Sequence, residues 1–131
     1  MLEKLVRAVR EAVPDCRAIY RFGSWGTPAQ KFDSDIDLAV LSFTTLEPVY
    51  CWTLAQSLAS LAGCNVDLVD MLRASTVLRM QVLATGDRLY CADDYGVELF
   101  EDAVFSGYAR LNEERREVLA DIRLRGSVHG K

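Results

Sequence analysis

Gly23-Ser24-Trp25-Gly26-Thr27-Pro28-Ala29-Gln30-Lys31-Phe32-Asp33-Ser34-Asp35-Ile36-Asp37-Leu38 opens on a turn of small residues and closes on an Asp-X-Asp pair that leads into an apolar run. Ten residues separate Ser24 from Asp35. Side chains alternate faces along an extended strand, so Asp35 and Asp37 point the same way, ~7 Å apart. Two carboxylates on one face repel each other, and a hard divalent cation with oxygen ligands relieves that repulsion. The Gly23-Ser24 turn offers backbone N–H groups around which a phosphate can be held. The stretch therefore calls for a metal and a phosphate together.

On the N-terminal side, Leu2, Leu5, Val6, Val9, Ala12 and Val13 recur at helical spacing and predict an amphipathic helix over 2–13. Pro14-Asp15 ends it, and the strand formers of 17–22 run into Gly23. On the C-terminal side, residues 35–42 read as a strand with little polar surface, covered at least in part on both faces. A helix is predicted from Glu47-Pro48 to about Ala62, stopped by Gly63. A third strand follows over 65–71, a helix over 73–85 and a short strand over 88–91. The last helix carries Val97, Phe100, Val104, Tyr108, Leu111, Val118 and Ile122 on one face. Helices alternating with strands predict an α/β (α+β) domain, a small mixed sheet flanked by helices, with the order of strands left open.

A chain of 131 residues predicts one domain, residues 1–131, with a core over 1–92, a C-terminal helix over about 94–122 and a frayed tail over 123–131. The net charge of −4 argues against dedicated nucleic-acid binding, which leans on Lys and Arg. Six of the basic residues fall within 1–31, so the remainder is clearly acidic. Cys16, Cys51, Cys64 and Cys91 form no CxxC pattern, and the one histidine, His129, lies in the polar tail. Reduced thiols in a cytoplasmic protein are expected, not a zinc site. No secretory leader and no apolar run of membrane-spanning length is read from the sequence.

Asp67 stands between Val66 and Leu68, an unusual place for an acid without a cationic partner. Should its strand lie beside that of Asp35 and Asp37, three carboxylates would share a pocket. Three carboxylates can hold two divalent ions, Mg²⁺ being expected, and two ions suit in-line phosphoryl or nucleotidyl transfer. The alternative for Asp67 is an edge-strand acid facing solvent. Asp70 reads as a solvated strand end. Trp25 and Trp52 read first as packing residues, Trp25 being the better placed to touch a nucleotide. Ser24 is disfavoured as a nucleophile, because no histidine is at hand as its base.

Phe22-Gly23-Ser24-Trp25-Gly26, then Ser34-Asp35-Ile36-Asp37-Leu38-Ala39-Val40, then Val66-Asp67-Leu68-Val69-Asp70 together resemble the active-site signature of the DNA polymerase beta-like nucleotidyltransferases. The short length points to the minimal nucleotidyltransferase (MNT) branch. The resemblance covers about residues 1–92 and is most specific over 22–40. It implies that Gly23, Ser24 and Trp25 contact the nucleotide and its triphosphate. It implies that Asp35, Asp37 and Asp67 are metal ligands and catalytic residues, Asp67 also helping to deprotonate the acceptor hydroxyl. It further implies a HEPN-domain toxin, a helical ribonuclease, as partner, neutralised by transfer of AMP from ATP to a tyrosine. Relatives often carry a basic residue soon after the Gly-Ser pair. Here Trp25-Gly26-Thr27-Pro28 has none before Lys31, which leaves Arg21 or Lys31 to take that part.

Two other functions stay open at this level. One is a small-molecule transferase of the antibiotic-modifying kind, its pocket completed by a homodimer. The other is a non-catalytic antitoxin that blocks a toxin by contact alone. The acceptor residue, the number of AMP units and the assembly, homo- or hetero-oligomeric, are not written in the sequence.

Overall fold

Apolar positions recur with the helix and strand periods that a layered fold can bury, and the computed structural model places them accordingly. It describes residues 1–23 and 35–129, without the side chains of 125–129. The elements, in order, are α1 (Leu2–Ala12), β1 (Cys16–Phe22), β2 (Ile36–Ser42), α2 (Pro48–Ala62), β3 (Val66–Asp70), α3 (Thr76–Thr85), β4 (Asp87–Cys91) and α4 (Asp94–His129). The four strands form one mixed sheet in the order β3-β2-β1-β4. β1 is antiparallel to both β2 and β4, whereas β2 and β3 are parallel. A parallel pair needs a crossover, and α2 supplies it.

Each sheet face builds its own core. Ile19, Ile36, Leu38 and Val40 pack with Leu5 and Val9 of α1 and Leu54 and Leu58 of α2. Ala18, Tyr20, Phe22, Ala39 and Leu41 pack with Met71, Val82 of α3 and Val97 of α4. Burial on both faces makes β2 the centre of the structure and accounts for its near-continuous apolar sequence. The Tyr20 hydroxyl donates to Glu101 at 2.7 Å, and that bond ties β1 to α4.

Three expectations change. The hydrophobic core does not end at residue 92, since Val97 and Val104 of α4 are buried in it. The last helix does not end near 122 but continues to His129, because Ile122, Arg123 and Leu124 are adequate helix formers and no proline follows. Past Val104 its apolar stripe leaves the core: Val118 and Ile122 are exposed. The helix expected over 73–85 begins only at Thr76. Ser75 caps it, its Oγ accepting from the Leu78 N–H at 3.1 Å, while the N–H groups of Arg73 and Ala74 donate to the Asp70 carbonyl and hold a turn before it.

Asp70 is also not a solvated strand end. It is buried, and its carboxylate accepts from the N–H of Leu46 at 2.8 Å and of Leu72 at 3.0 Å. These bonds pin the chain entering α2 to the end of β3. Asp70→Ala leaves two main-chain donors in a dry setting without their acceptor, and is expected to lower stability by about 3 kcal/mol. Urea unfolding checks this; an unchanged midpoint would show that Asp70 does not hold the fold together.

Candidate active site

Register brings the two acids together. In the parallel ladder Asp37 of β2 stands directly opposite Asp67 of β3, and in the antiparallel ladder Phe22 stands opposite Asp37. Adjacent strands lie ~4.8 Å apart, so Phe22, Asp37 and Asp67 form a row across one end of the sheet, with Gly23 next to it at the end of β1. Asp35 immediately precedes β2 and is half-buried. Asp67, on the edge strand, is exposed, as the solvent-facing alternative had it, yet it faces Asp37 as well.

The electrostatics follow from this crowding. The Asp37 carboxyl is pushed up to about 6, first by burial, then by the charge of Asp67, by a hydrogen bond shared with Asp67 and by the charge of Asp35. Asp37 therefore holds its proton to a higher pH than an ordinary carboxyl does, because burial and neighbouring carboxylates disfavour its charge. A hard divalent cation is the natural replacement for that proton, and the donor set, all carboxylate oxygen, fits Mg²⁺ rather than a soft metal. Among the described residues no three His, Cys, Asp or Glu side chains converge on one point.

Gly23 explains itself at this point. Its φ is +78°, in the left-handed region, and a Cβ built on it would run into Oδ2 of Asp37. Only glycine lets the chain leave β1 this close to the carboxylate. Arg21 holds the approach: its guanidinium is buried, pairs with Asp87 at 2.7 Å and donates to the Gly23 carbonyl at 3.5 Å. Arg21 therefore supports the turn from behind, which its sequence neighbourhood did not disclose. Ser24, Trp25 and Lys31 lie outside the described residues. Trp52 does not pack inside; it is 65 % exposed on α2.

Known proteins share this fold and much of this sequence. The family model "Polymerase beta, Nucleotidyltransferase" matches residues 3–95. The chain is 41 % identical over 121 residues to a protein adenylyltransferase, MntA, of Shewanella oneidensis, covering 91 % of this chain and 85 % of that protein. Among solved structures it resembles a tri-AMPylated Shewanella oneidensis HEPN toxin in complex with MNT antitoxin, at a TM-score of 0.78 and 39 % identity, over 92 % of this chain and 94 % of the other. It also resembles a toxin–antitoxin structure with AMP-PNP, at a TM-score of 0.83 and 40 % identity, over 92 % and 97 % of the two chains.

The raised carboxyl has a measurable consequence. A group that binds its proton more tightly when folded stabilises the fold at low pH, and that contribution is lost as pH rises through the folded value. Without divalent cation, stability is expected to decline between about pH 4 and about pH 6 on account of Asp37. Asp37→Asn should remove this decline and be the more stable protein at pH 7 in the presence of a chelator. Carboxyl NMR titration reads the midpoint directly; an ordinary carboxylate value for Asp37 would contradict the crowding.

Proposed function

Since the chain belongs to the polymerase beta nucleotidyltransferase family, we propose that it is an antitoxin enzyme that transfers AMP from ATP to a hydroxyl, of tyrosine, on a HEPN-type toxin and thereby neutralises it. The observation that carries this reading is the Asp37–Asp67 pair, in register beside Gly23, in a chain so similar to a protein adenylyltransferase. The toxin of a similar complex carries three AMP groups, which supports a protein acceptor. The AMP-PNP of another supports ATP as donor.

Asp35, Asp37 and Asp67 would hold Mg²⁺, which when bound supplies charge neutralisation for the triphosphate and a more acidic acceptor hydroxyl. The protein's own groups do the rest. By the resemblance to the family, Gly23 and Ser24 would contact the triphosphate and Trp25 the nucleotide. Asp67, the exposed member of the pair, takes the proton of the acceptor hydroxyl. The hydroxyl oxygen bonds to the α-phosphorus, the bond from that phosphorus to the bridging oxygen on the β side breaks, and pyrophosphate leaves. No helix among the described residues is long and apolar enough to cross a membrane. The four cysteines are free, which suits the reducing cytoplasm.

The mass of the toxin after incubation with this protein, Mg²⁺ and ATP tests the reading. The toxin should gain one or more AMP units. Asp67→Asn should slow the gain by roughly 10²–10⁴-fold, the usual worth of a positioned base, and Asp37→Asn should do at least as much. Toxin neutralised by Asp37→Asn with no change in mass would instead establish inhibition by contact alone.

A further inference from the structure

β3 is the edge of the sheet, and its outer side is not bare. A groove of about 480 Å³ runs along it, from Asp67 past Leu68 and Val69, roofed by Trp52 and Gln56 of α2 and bounded by Arg73 beyond the strand. Asp67 lines this groove and also faces Asp37, so groove and carboxylate pair are continuous.

The main chain of β3 has a definite orientation here. Asn65 and Met71 turn toward β2: the Asn65 carbonyl accepts from Ile36 N–H, and Met71 N–H donates to the Val40 carbonyl. Alternation along a parallel strand turns Val66 and Leu68 the other way, into the groove. The Leu68 carbonyl takes the Cys51 thiol at 3.6 Å. Leu68, half-buried, lines the groove and turns its N–H toward the space where another strand would lie, whereas Val66 beside it is buried. An edge of this kind accepts an extended polypeptide through main-chain hydrogen bonds.

In-line transfer adds a direction. The entering oxygen and the leaving pyrophosphate lie on opposite sides of the α-phosphorus. Across the sheet the order is Gly23, then Asp37, then Asp67, then the groove. With the triphosphate seated at Gly23, the entering side is the side of β3.

We propose that this groove is the acceptor-docking site: an extended segment of the partner polypeptide pairs with the open edge of β3, its apolar residues against Trp52, and so presents its hydroxyl to Asp67. The proposal rests on the nucleotidyltransferase reading above and deepens it, by assigning the surface that selects a polypeptide. A ring as exposed as Trp52, at 65 %, is available to such a segment without disturbing the core.

The test compares wild type and Trp52→Ala with Mg²⁺, ATP and the HEPN-type toxin, alongside binding of a non-hydrolysable ATP analogue. The variant should raise KM for the toxin on the order of tenfold, as truncation of an aromatic anchor does, and leave analogue affinity unchanged. Hydrogen exchange should slow at the Leu68 amide when the toxin is added. Unchanged KM with unchanged exchange at β3 would overturn the proposal. So would a loss of analogue affinity in Trp52→Ala, which would make the groove a nucleotide site. A wild type that adds no AMP to the toxin would sink the underlying reading itself, an outcome distinct from the other two.

Discussion

Two carboxylates held opposite each other on parallel strands set the terms for this molecule. Asp37 and Asp67 are paired by backbone register, so neither can retreat without shifting a whole strand. The repulsion is a standing cost, and with burial it raises the Asp37 carboxyl above the usual carboxylate range. A fold gains nothing from such a pair for its own stability; neutral side chains would pack there more cheaply. Under the proposed function, a cation and a triphosphate would offset that cost.

Much of the remaining structure can be traced to keeping that pair in place. β2 is buried on both faces, which fixes Asp37 in depth. α2 makes the crossover that allows β3 to lie parallel to β2, and the Asp70 carboxylate fastens the start of that crossover to the end of β3. Gly23 lets β1 end against Asp37, and Arg21, anchored on Asp87, supports the turn. The similarity to a toxin–antitoxin complex with AMP-PNP and to one with an AMPylated toxin gives the arrangement its biochemical setting.

The local signals were legible in the sequence, and the non-local ones were not. Asp37, the helix stop at Gly63 and the anomalous Asp67 each depend on a few neighbouring residues, and the structure places them on the elements expected, with Asp35 just before its strand. Asp70 was misread because its partner, Leu46 N–H, lies far upstream in the chain, and a carboxylate at a strand end looks solvated until that partner is known. Trp52 was misread for the complementary reason: a tryptophan on an apolar helix is normally packed, but α2 turns this one away from the sheet beside an open edge. The order β3-β2-β1-β4 follows from pairing between distant segments, about which periodicity carries no information. Helix α4 outran its expected end because intrinsic propensity continues where the buried stripe stops.

The central claim is that the Asp37–Asp67 pair is a divalent-cation site serving a bound triphosphate. Mn²⁺ in place of Mg²⁺, with a non-hydrolysable ATP analogue in a crystal, locates the ion by its anomalous signal. The account predicts a peak bonded to carboxylate oxygens of both Asp37 and Asp67 at about 2.1 Å, and to a phosphate oxygen of the analogue. Mn²⁺ bound to the triphosphate alone, with neither carboxylate in its coordination sphere, would contradict it.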